Sequence, residues 1–230
     1  MIEIPQYKNI LLQILKDIYS DTSISPFLGF KGGTAAYIFY DLPRFSVDLD
    51  FDLLNESKTE DIFKKIKNII ENYGQVKEFQ KKRFSLFFLL SYQDKAQNIK
   101  VEINRRLFKS KYTIKTYLGI SMLVMNRADM LAHKMIAMHE QAGKSNRDIY
   151  DVWFFLKNGW PINKQIIEER TQLTFKEFLE TSITSLETKK HNILHGIGEL
   201  LDQEQKYWVK NNLKKDVLFL LKIMLANEKQ

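Results

Sequence analysis

The chain has 230 residues, of which 44% are hydrophobic and none is cysteine. Disulfide bonds, thiolate catalysis and cysteine-ligated zinc are therefore excluded, while the length is sufficient for a large core. The formal net charge of +7 favours a polyanionic partner, because lysine and arginine side chains gain affinity when they release counterions from nucleic acid.

The first half of the chain alternates helical and strand patterns. Helices are predicted near residues 7–19, 35–40 and 60–72. Strand patterns occur near residues 27–30, 47–51, 75–79, 84–91, 99–105 and 112–122.

Helical patterns dominate the second half. They occur at residues 125–141, in a segment that ends near Gly159, and at 164–169, 175–182, 193–201 and 207–225. The sequence therefore predicts an α+β protein, with an α/β lobe at residues 1–124, a helical lobe at 125–230 and a functional cleft between them. The N-terminus lacks a secretory signal and Lys222 interrupts the longest late apolar stretch, so we expect a soluble cytoplasmic protein that does not bind membranes.

A glycine turn, Lys31-Gly32-Gly33-Thr34, lies between the first predicted strand and the second predicted helix. Glycine has no Cβ, so the main chain can take positive φ and bring its amides close to an anion. The following helix would add the partial positive charge of its N-terminus, and Thr34 would add a hydroxyl. The turn could therefore bind phosphate, although Gly-Gly alone is as typical of an ordinary turn.

Acidic and apolar residues alternate in the strand predicted at 47–51, so Asp48 and Asp50 should project from one face. Adjacent carboxylates repel unless a cation joins them, and hard oxygen ligands favour Mg²⁺ or Mn²⁺. Asp52 continues this face where the strand is expected to end, as a spare or supporting acid. Each motif alone has an ordinary structural explanation. Together, at this spacing, they indicate nucleotidyl transfer.

Glu102 lies on one face of the strand predicted at 99–105 and is a candidate third metal ligand or general base, or else an exposed strand residue. Lys134 falls within the apolar stripe of the helix predicted at 125–141. An unpaired buried ammonium is costly, so Lys134 must either extend to solvent or find an anion.

Arg147, Asp148 and Asp151 lie on the next predicted helix. The two acids are three residues apart and share a face, so they could orient Lys134, a metal-bound water or an acceptor hydroxyl. The alternative is local: Ser145 could cap this helix, with Asp148 in a capping box.

These motifs resemble the AbiEii/AbiGii-type toxins of bacterial type IV toxin–antitoxin systems, which include the MenT toxins and belong to the DNA polymerase β-like nucleotidyltransferase superfamily. The resemblance covers residues 25–157, and Thr34 stands where serine is usual. It implies a polymerase β-like core with a mixed sheet, followed by a C-terminal helical bundle. The catalytic residues it implies are Asp48, Asp50, Lys134, Asp148 and Glu102, with Asp48, Asp50 and Glu102 binding metal. The nucleotide-binding residues it implies are Lys31, Gly32, Gly33, Thr34, Arg44, Ser46, Lys134, Arg147 and Asp151.

The resemblance also implies a reaction and partners. A nucleoside monophosphate would pass from an NTP to an RNA acceptor, the 3′ end of tRNA, and so block translation, with a cognate antitoxin protein as partner. The same core could instead modify a small molecule or a protein side chain, or serve as a non-catalytic scaffold that binds nucleotide or RNA. Candidate RNA contacts are the basic runs Lys81-Lys82-Arg83 and Arg105, Arg106, Lys109 and Lys111, although each alone is typical of a solvated surface.

Overall fold

The computed structural model describes residues 4–93, 97–141, 146–188 and 192–228. The chain divides into two compact units, Met1–Met125 and Asn126–Gln230. No helix within the described ranges is long and apolar enough to cross a membrane.

The first unit is built on a seven-stranded mixed sheet in the order β3-β4-β5-β2-β1-β7-β6. Neighbouring strands are antiparallel except for two pairs, β2 with β5 and β1 with β7, which are parallel. The strands are β1 (Leu28–Lys31), β2 (Asp48–Leu53), β3 (Gln75–Lys81), β4 (Ser85–Ser91), β5 (Ile99–Asn104), β6 (Tyr112–Tyr117) and β7 (Ile120–Met125). The helices are α1 (Ile4–Ser20), α2 (Gly32–Phe39) and α3 (Thr59–Glu71).

The two faces of this sheet differ because its central strands alternate apolar and polar residues. Leu49 and Phe51 of β2 are fully buried, whereas Asp48 and Asp50 between them are partly exposed. The amphipathic helix α3 packs its apolar side on the sheet, where the rings of Phe63 and Phe88 lie 5.1 Å apart. The opposite face of the central strands is left for polar side chains.

The segment predicted as one strand at 112–122 is a hairpin of two strands, β6 and β7, that extends to Met125. The prediction of a single strand is therefore wrong. Leu118 and Gly119 form its turn with φ values of 49° and 78°. Positive φ at both central positions is the geometry that joins antiparallel strands through a two-residue turn. Gly119 was the available signal, but leucine rarely adopts this conformation.

The second unit is helical among the residues that the structure describes. Its helices are α4 (Arg127–Gln141), α5 (Arg147–Lys157), α6 (Lys164–Thr171), α7 (Phe175–Thr188), α8 (Gln203–Trp208) and α9 (Lys214–Asn227). Aromatic contacts hold its core, with the rings of Phe155 and Trp160 stacked at 3.9 Å. Together with the mixed sheet, this confirms the predicted α+β class with a C-terminal helical part.

Two helix predictions in this unit need correction. Residues 193–201 form turns and one short 3₁₀ segment rather than an α-helix, since Gly196 adopts a φ of 74° that ends helical geometry. The helix predicted at 207–225 begins earlier, at Gln203, where Asp202 forms a capping box with Gln205. A π-helical turn at 209–213 separates it into α8 and α9.

Candidate functional site

The carboxylates of the first unit lie in register across neighbouring strands. Asp48 is paired with Lys100, and Asp50 is paired with Glu102 on one side and with Lys31 on the other. Directly paired residues point to the same face of a sheet. Asp48, Asp50 and Glu102 therefore share the polar face, as their alternation with apolar residues predicts.

The glycine turn packs directly against this row of acids. Gly32 has a φ of +79°, and a Cβ placed on it would lie 2.5 Å from Oδ2 of Asp50. A Cβ on Gly33 would lie 2.7 Å from Oγ of Ser46 and 2.8 Å from Nη2 of Arg44. Both positions thus exclude a side chain. Helix α2 begins at Gly32, three residues before the start predicted at residue 35, so its N-terminal amides belong to the glycine turn itself.

Three residues predicted to bind nucleotide are almost inaccessible. Thr34, Arg44 and Ser46 are 3%, 2% and 5% exposed. The Thr34 hydroxyl donates to the main-chain oxygen of Asp48, and Arg44 donates from Nη1 to the Phe45 oxygen at 3.0 Å. The Thr34 hydrogen bond joins the glycine turn to the start of β2, whereas the Arg44 hydrogen bond stays within the loop that precedes β2. A role in nucleotide contact stays a prediction for each of them.

Sequence reasoning missed Lys100, which lies among the predicted metal ligands. Its Nζ is 3.3 Å from Oε2 of Glu102, 3.5 Å from Oδ2 of Asp48 and 3.9 Å from Oδ1 of Asp50. Burial lowers the pKa of Lys100, but the charges of the three carboxylates, led by Asp50, outweigh it and raise the pKa above its ordinary value. The sequence indicates this placement only through the position of Lys100 two residues before Glu102 in the same strand, which puts both side chains on one face.

The donor set of this site suits a cation. Within the described ranges, no three histidine or acidic side chains already converge as metal ligands. Three carboxylates nevertheless surround the Lys100 ammonium, and their oxygens are the ligands that Mg²⁺ and Mn²⁺ prefer. A divalent ion would have to displace that ammonium, because two cations at one position repel each other.

Asp52 has a larger role than its predicted place near the end of a strand suggested. Strand β2 continues to Leu53, and Asp52 is 5% exposed. Its carboxylate accepts hydrogen bonds from Lys31 Nζ at 2.5 Å, Asn104 Nδ2 at 2.7 Å and the Tyr112 hydroxyl at 2.5 Å. Burial raises the pKa of Asp52, but Lys31 and the hydrogen bonds outweigh it and lower the pKa. Lys31, predicted to contact nucleotide, thus pairs with an acid beside the turn.

Tyr112 reaches Asp52 only because a glycine lies in its path. A Cβ on Gly29 would be 2.2 Å from the Tyr112 ring, which is far inside contact distance. Gly29 is also the direct partner of Asp52 across β1 and β2. The sequence offers no short-range signal for this arrangement, since Tyr112 lies on a strand that is not adjacent to either partner.

The second unit contains the other predicted catalytic cluster. Lys134 of α4 places its Nζ 2.7 Å from Oδ1 of Asp148 and 2.8 Å from Oδ2 of Asp151, both on α5. Lys134 is therefore paired with anions rather than extended to solvent. Asp151 is fully buried, and Arg147 is half-buried at the start of α5.

Helix α5 begins one residue later than the capping box predicted for Asp148 requires. Asn146 occupies the cap position of α5 without a side-chain capping hydrogen bond. This places Asp148 at the second helical position rather than the third, where a capping box needs it. Ser145, the predicted cap, lies outside the described residues.

Residues 13–211 match the sequence model of the AbiEii family, described as nucleotidyl transferase toxins of type IV toxin–antitoxin systems. A candidate nucleotidyltransferase from H. pylori has the same fold at a TM-score of 0.56 and 16% identity, covering 97% of this chain and 95% of that one. JHP933 from Helicobacter pylori is similar at a TM-score of 0.55 and 17% identity, covering 97% and 94%. No curated protein sequence matches. The family match spans both clusters of predicted site residues, and the chain belongs to the AbiEii family of nucleotidyl transferase toxins.

Proposed function

We propose that this nucleotidyltransferase is metal-dependent and transfers a nucleoside monophosphate from an NTP to an RNA acceptor, the 3′ end of tRNA, so that translation stops. The observation that carries the proposal is the contact between the glycine turn and the acids. Only the missing Cβ of Gly32 lets Asp50 approach the turn so closely. A triphosphate bound at the turn would therefore lie beside the carboxylates that hold a cation.

The residues of the first unit have distinct roles in this proposal. The amides of Gly32, Gly33 and Thr34 bind phosphate, aided by the positive end of α2. Asp48 and Asp50 hold Mg²⁺ or Mn²⁺, and Glu102 is the third ligand or the general base. When bound, the metal would polarise the α-phosphate and stabilise the departing pyrophosphate.

Lys134 supplies the positive charge from the second unit. Its two carboxylate partners, Asp148 and Asp151, fix the position of its amine, and we propose that the amine neutralises charge on the phosphates. Arg147 is a further candidate contact to the nucleotide. Asp148 is the alternative general base to Glu102.

The reaction balances without an added reactant. The acceptor hydroxyl oxygen forms a bond to the α-phosphorus, and the bond from that phosphorus to the bridging oxygen of the β-phosphate breaks. Pyrophosphate leaves with the bonding electrons, and the hydroxyl proton passes to Glu102 or Asp148. The proposal places the protein in the cytoplasm with its substrates, and family membership implies a cognate antitoxin as partner.

The test is transfer of label from each α-³²P-labelled NTP to total RNA in the presence of Mg²⁺. We expect label in a tRNA-sized band with one NTP. Asp48→Asn should abolish it, while Asp61→Asn, which changes an exposed acid on α3, should leave it intact. Thermal unfolding of both variants checks that they fold.

Two results would contradict the proposal. Asp48→Asn that folds and still transfers label would remove Asp48 from the catalytic residues. Label that enters only a protein or a small molecule would refute the RNA acceptor.

A further inference from the structure

The two basic runs of the first unit meet around one exposed aromatic ring. Arg83 and Phe84 lie in the turn between β3 and β4, and Arg106 follows β5. The Cζ atoms of Arg83 and Arg106 lie 4.8 Å and 4.3 Å from the centre of the Phe84 ring, which is 43% exposed. The main-chain amide of Arg105 donates to the Phe84 oxygen at 2.9 Å and holds the segments together.

Among the described residues, no acidic side chain pairs with the cations that lie on this ring. Arg83, Arg106 and the neighbouring Lys82 are exposed and form no ion pair among the residues that the structure describes. The adjacent cations differ, since Lys81 pairs with Glu60 and Arg105 pairs with Glu56. Two guanidinium groups on one ring repel each other, and an anion bound there would relieve the repulsion.

This surface continues to the candidate active site. Phe87 of β4 is the direct partner of Glu102 across β4 and β5, so both point to the polar face of the sheet. The Lys82 Nζ lies 4.0 Å from the centre of the Phe87 ring. One row of paired residues therefore runs from Asp50 through Glu102 to Phe87 and then to the basic turn.

We propose that Lys82, Arg83, Phe84, Phe87 and Arg106, the turn surface, bind the single-stranded end of the RNA acceptor. Alternating aromatic rings and cations are the chemistry that recognises unpaired nucleotides, because bases stack on rings while phosphates pair with basic side chains. Duplex nucleic acid offers phosphates but no free base faces. The acceptor role of this RNA rests on the proposed function, whereas binding to the surface does not.

The experiment measures binding of a fluorescent oligonucleotide with the sequence of a tRNA 3′ end, without NTP, to the full chain carrying Asp48→Asn. We expect Arg83→Gln with Arg106→Gln to weaken binding about tenfold and to reduce the slope of log affinity against log salt by about 1.4. Phe84→Ala should weaken it about fivefold or more, through lost stacking. The matched control, Lys176→Gln with Lys210→Gln, removes the same charge from two exposed lysines elsewhere and should bind normally.

Several results would overturn the inference. One is an equal loss of oligonucleotide affinity in the arginine double variant and in the lysine control. The others are unchanged affinity in both double variants, and no binding of the oligonucleotide by the chain that carries Asp48→Asn alone. Normal RNA binding with lost antitoxin binding would assign the surface to the protein partner instead.

The binding experiment and the transfer assay test the two proposals independently. Transfer to RNA with unaltered binding by the turn-surface variants would refute this inference alone. Binding that depends on the turn surface, without any transfer to RNA, would refute the proposed function alone. Unchanged thermal unfolding of the variants shows that lost binding is not lost folding.

Discussion

Replacing Lys100 with methionine should make the protein bind divalent metal more tightly. The Lys100 ammonium contacts Asp48, Asp50 and Glu102 at 3.3–3.9 Å, so a metal ion that binds these carboxylates must displace it. Methionine keeps the length and the apolar part of the side chain but has no charge. The substitution therefore removes a competitor without removing a ligand.

The size of the effect follows from the three distances. At a water-like dielectric constant, two charges this far apart interact by about 1 kcal/mol, and three such contacts sum to roughly 3 kcal/mol. Burial of the ammonium opposes this gain, so about 1.5 kcal/mol remains as a net contribution. Losing the competitor should then tighten metal binding about tenfold. Without added metal, the free energy of unfolding of Lys100→Met should be about 1–2 kcal/mol lower than that of the unaltered protein, because three carboxylates are left facing one another.

Mn²⁺ binding measured by electron paramagnetic resonance, with urea unfolding in parallel, tests both parts. Saturating Mn²⁺ should stabilise Lys100→Met more than the unaltered protein, since a ligand that binds only the folded state stabilises in proportion to its affinity. Lys77→Met, at an exposed lysine of β3, is the matched control and should change neither quantity. Equal or weaker Mn²⁺ affinity in Lys100→Met would refute the reasoning, because it would mean that the ammonium assists the metal or lies away from it.

Three further predictions concern the supports of the site. Gly29→Ala should lower the free energy of urea unfolding by about 1–3 kcal/mol, since the added Cβ would overlap the Tyr112 ring. The control Gly198→Ala adds a Cβ that meets only ordinary contacts, so it should change this free energy little. A similar loss in both variants would contradict the prediction. Asp151→Asn should cost about 1–3 kcal/mol in the same assay because it removes a fully buried partner of Lys134, and no loss would show that Asp148 suffices. Hydrogen bonds from Ser23, then Lys65, lower the pKa of Asp21, so its contribution to stability is complete above about pH 4 and is lost as pH falls through the lowered pKa. Asp21→Asn should therefore make unfolding less sensitive to acid between about pH 5 and 2, and an unchanged pH profile would contradict this.

The sequence predicts the placement of a side chain correctly where that placement depends on local periodicity. Alternation along β2 is sufficient to place Asp48 and Asp50 on one face, because successive side chains of a strand point in opposite directions. The apolar stripe of α4 likewise shows that Lys134 must either extend to solvent or find an anion, and the structure has the second arrangement. The spacing of Asp148 and Asp151 places them on one helical face and predicts them as possible partners.

The residues that the sequence missed depend on contacts between distant segments. Lys100 meets Asp48 only because β5 pairs in parallel with β2, and no short-range pattern fixes that register. The sequence predicts only a supporting role for Asp52, because composition does not show where β2 ends. Its partners Asn104 and Tyr112 lie about fifty and sixty residues away in the sequence.

The hydrogen bond from Tyr112 to Asp52 braces the sheet across its strands. Tyr112 is on the edge strand β6, and its ring passes over β7 and β1 to reach β2. Main-chain hydrogen bonds join only adjacent strands, whereas this one side chain joins the first and fourth strands from that edge. An edge strand normally frays independently of the centre, but the Tyr112 end of β6 cannot separate without breaking its hydrogen bond to Asp52, the buried acid that also pairs with Lys31. Amide hydrogen exchange should accordingly be slower at the Tyr112 end of β6 than at the Tyr117 end, and the reverse order would show that the brace does not restrain the edge.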